Sequence, residues 1–475
     1  IAPFRGWHLV VAHLDHGLWI LRGLETVETD GGASEFTRLE FAGEESLLVP
    51  ADEMGRVWRY GGSPEHIRLD RLNSDNWEKR RKQVEAQVAE TAAGLIARVK
   101  ARDAESVDPI VPPRQAYERF VAGFPFPETQ DQSAAIRDVL ADLASTRPMN
   151  RLVCGDVGYG KTEVALRAAA AVALSGRQVA VLAPTTVLVR QHVRTFERRF
   201  KLLGFEVGHL SRLVPAAEAR DTRRRLKEGD LRIVIGTHAL AGRNVQFADL
   251  GLVVIDEEQR FGVAQKDKIR ALGEGARTLA LTATPIPRTL QGALAGLADL
   301  SVIATPPARR QPIRTALAPF DEASMREALL REHRRGGQSF VVCPRIEDIT
   351  SLRERLEAIV PDLDLVIAHG DIPAVEIDEV MVAFADGEGD VLLTTNIIES
   401  GLDVPRANTM LVWRPDRFGL SQLHQLRGRV GRSNRQGVVH LLIDPAHPIR
   451  DATRKRLETF ESLDRLGAGF AIAAR

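Results

Sequence analysis

At 475 residues the chain is too long for one ordinary hydrophobic core, and two to four domains are expected. Its 44% hydrophobic and 27% charged residues suit a soluble globular protein, and no apolar run approaches the roughly 18 residues of a membrane span. Lys plus Arg and Asp plus Glu are each 64, so net charge neither favours nor excludes a polyanionic partner.

The first 75 residues alternate short apolar runs with Gly, Asp and Pro, as in WHLVVAHL, FTRLEFAG and ESLLVPADEM, and read as a small β-domain (1–75). From Asn76 to about Val107 the pattern is helical, with Val84, Val88, Ala92, Leu95, Ile96 and Val99 at helical spacing. This predicts one long connector (76–112) whose apolar stripe packs on a neighbour. After Pro112 and Pro113, apolar runs alternate with charged helical stretches: RLVCG, QVAVLAP, LRIVIGT, LGLVVID and ARTLALTAT. That is the βαβ pattern of a parallel sheet (113–312). A breaker cluster from Pro306 to Arg310 precedes a second such series, SFVVCP, LDLVIAHG, GDVLLTT, TMLVW and GVVHLLI (313–475). The only cysteines, Cys154 and Cys343, sit far apart in apolar runs, which predicts two reduced strand-borne thiols in a cytoplasmic protein, with no disulfide or metal role. The chain opens at Ile1 without a signal-peptide pattern, and a piece of a longer protein is expected.

Gly155, Asp156, Val157, Gly158, Tyr159, Gly160, Lys161 and Thr162 fit G-x-x-x-x-G-K-[ST] between an apolar run and a helix former. Glycines let backbone N–H groups wrap phosphates, Lys161 meets the β- and γ-phosphates, and Thr162 ligates Mg²⁺. Asp256 and Glu257 end an apolar strand, which suits Asp256 to Mg²⁺ and Glu257 to positioning the attacking water. In the second series, QLRGRVGR supplies Gln425, Arg429 and Arg432 among glycines that permit close approach. Those arginines would stabilise charge on a transferring phosphoryl group across a cleft between two lobes.

In order, GDVGYGKT, PTTVLVRQH, GTHAL, DEEQ, TATPIPR, TTNIIESGLDVP and QLRGRVGR resemble the motif set of superfamily 2 helicase and translocase motors over about 300 residues. The resemblance implies an α/β fold of two tandem RecA-like P-loop lobes that bind ATP and Mg²⁺. It implies that Thr282 and Thr284 couple hydrolysis to lobe movement, and that Gly401 and Asp403 lie at the cleft. FPFPETQDQ resembles the adenine-recognition segment, with Gln132 reading the base and Phe126 either stacking on it or packing in the core. Nucleic acid would cross the tops of both lobes. The implied phosphate contacts are Thr185, Thr186, Gln191, Arg212, Thr237 and His238 in the first lobe, and Arg345, His369, Gly370, Thr395 and Asn396 in the second. Arg190, Arg194, Arg198, Arg199 and Lys201 either join that track or form a solvated face.

DEEQRFGVAQKDKIR, TATPIPRTL and FGLSQLHQLRGRVGRSNRQG resemble both RecG-type enzymes and bacterial transcription-repair coupling factors. DLSVIATPPARRQPIRT favours the latter, as do VAHLDHGLWILRGLETV, LEFAGEESLLVPADEM and RYGG, which resemble a Tudor-like, CarD-like domain that binds RNA polymerase. The resemblance implies a monomeric double-stranded DNA translocase that displaces stalled polymerase through its β subunit. A RecG-like branched-DNA motor, or a polymerase-binding module on a non-cycling motor, are the alternatives. An exposed edge strand would pair with the β subunit by strand addition, with Leu24 and Val27 as anchors or as core. The sequence departs from the family's usual pattern at Leu18-Trp19-Ile20-Leu21, where the surface of the polymerase contact is expected to differ. An Arg-Gly translocation motif, a UvrB-like region that engages UvrA, and an autoinhibitory domain are implied by the resemblance but are not among these residues, so either a fragment or a reduced relative with impaired stepping is expected.

Overall fold

The computed structural model describes residues 9–13, 17–29, 32–40, 46–50, 57–59, 76–273, 275–283, 298–307, 311–396, 404–431 and 435–462. These fall into two units, 1–100 and 101–475. The first carries β1 (Leu9–His13), β2 (Gly17–Thr29), β3 (Gly32–Glu40), β4 (Ser46–Pro50) and β5 (Val57–Arg59), in the all-antiparallel order β4-β3-β2-β1-β5. Leu18, Trp19, Ile20 and Leu21 are all buried. The apolar departure from the family pattern is therefore buried along its whole length. Trp19 and Leu21 join Val11, Leu39 and Val49 in one apolar cluster, each such side chain contributing about 2 kcal/mol. Leu24, further along β2, is 51% exposed, so it is not a core residue, while Val27 is half-buried.

The connector helix α1 (Asn76–Ala104) ends three residues before the expected Val107. Val84 and Ile96 are each 56% exposed, so at these two positions the expected packed stripe is open to solvent. The side chains of Val88 and Leu95 lie outside the described set.

The second unit holds two parallel sheets. Its first lobe runs α2 (Arg114–Ala122), α3 (Gln130–Leu143), β6 (Asn150–Gly155), α4 (Lys161–Leu174), β7 (Gln178–Leu182), α5 (Thr186–Phe200), β8 (Val207–Leu210), α6 (Ala216–Glu228), β9 (Ile233–Gly236), β10 (Leu250–Asp256), α7 (Val263–Leu272), β11 (Arg277–Thr282) and β12 (Asp299–Ile303). The strand order is β12-β6-β11-β10-β7-β9-β8. The inner strands read as unbroken apolar runs because helices cover both faces. Helix α4 lies between this sheet and helices α2 and α3, and its alanines are buried on every side.

The second lobe runs β13 (Arg314–Pro319), α8 (Glu322–Arg334), β14 (Gln338–Val342), α9 (Glu347–Ile359), β15 (Leu365–Ala368), α10 (Ala374–Asp386), β16 (Val391–Thr394), β17 (Ala407–Trp413), α11 (Leu420–Arg427), β18 (Val438–Ile443) and α12 (Asp451–Ser462). Its order is β13-β18-β17-β14-β16-β15. Cys154 and Cys343 are buried and free, and burial pushes their thiols up to about 11 and about 12, so both are inert.

Candidate nucleotide site and inter-lobe cleft

Register places the first lobe's chemistry on one sheet edge. Thr282 on β11 pairs with Cys154 on β6, while Asp256 on β10 pairs with Leu281 on β11. The glycine loop, Thr282 and the acidic pair thus emerge side by side at the strands' C-terminal ends, where open α/β sheets bind ligands.

The loop backbone is bent by Gly158 (φ 79°) and Gly160 (φ 85°), both in the left-handed region that glycine tolerates. A Cβ on Gly160 would also lie 2.3 Å from Gln132 Nε2. Gln132 is buried, and its amide Nε2 donates to the Tyr159 carbonyl at 2.8 Å while Oε1 accepts the Thr129 N–H at 2.9 Å. It fastens the start of α3 to the loop. Phe126 is 53% exposed and meets Phe124 edge-on at 5.6 Å, so it is not a core residue. Lys161 Nζ, buried, donates to the carbonyls of Gly155 at 2.6 Å and Asp156 at 3.0 Å.

Asp256 accepts a hydrogen bond from His192 Nε2 at 2.8 Å. Burial pushes the Asp256 carboxyl up, but His192 and Lys161 together hold it below the usual carboxylate range. The ionised Asp256 carboxylate at the end of β10 and the Thr162 hydroxyl at the start of α4 are hard oxygen donors of the kind that would suit Mg²⁺. Glu257 follows with φ 51°, a left-handed non-glycine backbone of the kind retained at functional sites. Its carboxylate accepts from Gln259 Nε2, and Gln259 Oε1 accepts from the Thr282 hydroxyl at 3.1 Å. Thr282 therefore reaches Glu257 through one amide.

The second lobe enters the site through α11. His424 Nε2 lies 3.2 Å from Asp156 Oδ1, and Arg260 donates to Gln425 Oε1 at 3.1 Å. A Cβ on Gly428 would stand 3.2 Å from that of Val157. Arg429, one residue on, is 4% exposed. The structure thus brings the glycine loop, the acidic turn and Gln425 together. Arg432, Gly401, Asp403 and Thr284 lie outside the described residues. Sequence reasoning missed His192, His424, Gln259 and Arg260. A signal existed for His424: Leu420, Leu423, His424 and Arg427 recur at i, i+3, i+4 and i+7, which sets two polar residues on an apolar helix face.

The expected track residues are distributed unevenly. Thr185 caps α5, accepting the Leu188 N–H at 3.3 Å, and Thr186 is buried, while Gln191 is half-buried. Thr237 and Thr395 are buried, His369 is half-buried, and His238, Arg345, Gly370 and Asn396 are exposed. Arg212 pairs with Asp378 of the second lobe at 3.3 Å. In the basic cluster, Arg199 is buried against Glu163 at 3.1 Å with its guanidinium 4.7 Å over the Phe120 ring, so it belongs to the interior and to neither of the expected surfaces. Arg190 and Arg194 pair with Asp386 on α10, and Arg198 and Lys201 are exposed.

Three family models match: the CarD-like/TRCF RID domain at residues 9–61, the DEAD/DEAH box helicase at 129–292 and the helicase conserved C-terminal domain at 322–434. Transcription-repair-coupling factors of Myxococcus xanthus, Haemophilus influenzae and Bacillus subtilis are 44%, 45% and 42% identical over 98% of this chain. The chain belongs to the transcription-repair-coupling factor family. It spans 39–40% of the length of these three relatives. RecG bound to a three-way DNA junction is similar in structure, with a TM-score of 0.69 and 30% identity over 94% of this chain and 67% of that one. The helicase MrfA bound to DNA and AMPPNP, at a TM-score of 0.57 and 16% identity over 78% of this chain and 57% of that one, shares the fold. Both lobes are therefore of the superfamily 2 helicase type, and the N-terminal sheet is of the CarD-like type. No helix among the described residues is long and apolar enough to cross a membrane.

Proposed function

We propose that this chain is the polymerase-docking and motor portion of a coupling factor: a DNA-dependent ATPase that moves along double-stranded DNA and displaces stalled RNA polymerase. The observation that carries the reading is the seating of α11 on the glycine loop and the acidic turn through His424, Gln425 and Gly428. A phosphate site touched by a second lobe is one whose occupancy can alter how the lobes sit, which converts hydrolysis into movement.

Gly158, Gly160 and the start of α4 would hold the triphosphate of ATP, with Lys161 leaving the Gly155 and Asp156 carbonyls to meet it. Thr162 and Asp256 would hold Mg²⁺, which supplies neutralising charge at the β- and γ-oxygens. Glu257, fixed by Gln259, orients the attacking water, and Thr282 connects it to the next motif. Arg429 and Arg432 stabilise the charge that develops on the γ-phosphoryl group, with Gln425 beside them. Phe126, exposed to solvent, stacks on the base. The track residues, from Thr185 to Asn396, grip phosphates without reading sequence. The 9–61 domain ties this movement to the polymerase β subunit, in the cytoplasm and as a monomer.

The test is triplex displacement from duplex DNA with ATP, run beside capture of the polymerase β subunit. Both are expected, and Lys161→Ala should abolish hydrolysis and displacement while leaving capture intact. Fork regression without polymerase affinity would favour the RecG-like reading. Hydrolysis retained in Lys161→Ala would remove the glycine loop from the mechanism.

A further inference from the structure

His424 contributes to the cleft a contact that phosphate-binding chemistry does not require. It is 7% exposed, with Nε2 3.2 Å from Asp156 Oδ1 and Nδ1 3.2 Å from the Arg427 guanidinium. A guanidinium has donors only, so Nδ1 accepts, the ring proton sits on Nε2, and Nε2–H donates to Asp156. The same Asp156 oxygen accepts the Val157 backbone N–H at 2.7 Å. Arg427 is anchored in turn, 4.5 Å over the Phe460 ring and donating to the Phe460 carbonyl at 3.4 Å. One buried line of directed bonds thus runs from α12 through Arg427, His424 and Asp156 into the backbone of the glycine loop.

We infer that His424 is a positioning residue that sets the register of the second lobe's arginine segment on the glycine loop, and so governs turnover more than nucleotide affinity. The inference rests on the ATPase reading above. His424 and Gly428 stand four positions apart and contact the neighbouring residues Asp156 and Val157. Two points of contact fix the orientation of the segment that carries Gln425 and Arg429. Lys161, by contrast, is held by Gly155 and Asp156 from within the first lobe. Removing His424 therefore leaves the phosphate cradle assembled and frees the second lobe to drift. Drift of even an ångström degrades a contact made only in the transition state, which lowers kcat and spares KM.

Steady-state ATP hydrolysis by the 475-residue chain with duplex DNA tests this. His424→Ala should lower kcat about tenfold and hold the KM for ATP within about twofold. His424→Gln returns a donor near the Nε2 position and should recover most of kcat. His424→Asn offers its amide toward Arg427 instead and should behave like alanine. Rescue by Asn and not Gln, a KM rise at unchanged kcat, or no effect of alanine overturns the inference. A measurement free of turnover is the long-range ¹H–¹⁵N spectrum of histidine-labelled protein, assigned with His424→Gln. The Nε2–H tautomer is expected, and Nδ1–H overturns the inference even if a variant fails to fold. Wild-type chain without hydrolysis overturns the ATPase reading and the turnover claim with it, while the spectrum still decides the bond.

Discussion

Among the described residues the two lobes meet at two junctions built from different chemistry. At the nucleotide face the contacts are directed and close: His424 to Asp156, Arg260 to Gln425, and Gly428 against Val157. At the edge between α5 and α10, Arg190 and Arg194 pair with Asp386, Arg212 pairs with Asp378, and Val187 joins the second lobe's apolar cluster. The arginines here are about half exposed. Orphaning a buried hydrogen-bonding group costs about 1–3 kcal/mol, whereas an exposed ion pair contributes about 0–1 kcal/mol. The first junction is therefore sensitive to geometry, and the second to salt and pH. In the proposed cycle the first would be the exacting contact where chemistry is triggered, and the second a looser one able to release. Arg212 fits this division, since its partner carboxylate is of the same charge as a DNA phosphate.

The sharpest way to break the comparison is to wedge the first junction. Gly428→Val sets a branched side chain where a single Cβ already comes within 3.2 Å of Val157. Overpacking of this kind costs about 1–3 kcal/mol, so DNA-stimulated turnover should fall at least about tenfold at saturating ATP. An unchanged rate would mean that α11 does not seat on the loop in the working cycle. Arg260→Ala removes one bond of the same junction and should cost about fivefold in turnover, read in the same assay. A turnover loss smaller than that of Asp386→Asn, measured in the same assay, would reverse the ranking of the two junctions.

This division was only half legible in the sequence. Interior strands announced themselves as unbroken apolar runs because both their faces are covered. Edge strands β8 and β13 did not, since VGHL and RTALAP are only partly buried and lack such a run. The glycine loop and DEEQ were readable because each packs its chemistry into a few consecutive residues. The His424–Asp156 and Arg260–Gln425 bonds join positions 268 and 165 apart, and no local pattern carries that. Helical spacing also failed to place Arg199. Whether such an arginine faces water or a carboxylate depends on α4 and α2, which bring Glu163 and Phe120 to it. Val84 and Ile96 erred the other way, since apolar spacing on a helix states what it would bury and not whether anything covers it.

The smallest expected effect tests the edge junction. The Arg194 hydrogen bond holds the Asp386 carboxyl below its usual range, outweighing the upward push of burial, with the charges of Arg194 and Arg190 adding to it. A carboxylate depressed in the folded state contributes stability that is complete above its unfolded value near 4 and is lost as pH falls through the folded value. Asp386→Asn should therefore be less stable than wild type at pH 7, by no more than about 1 kcal/mol because the pair is partly exposed. The gap, read as a difference in thermal midpoint, should close below about pH 4. It should also shrink toward about 1 M salt, where the screening length is about 3 Å. Arg260→Ala, which removes a half-buried bond to the uncharged Gln425 amide and not one to a carboxylate, should lose less of its deficit under both changes. A salt-independent deficit in Asp386→Asn would show that the edge is held by Val187 packing and not by charge, and the contrast between the two junctions would then rest on burial alone.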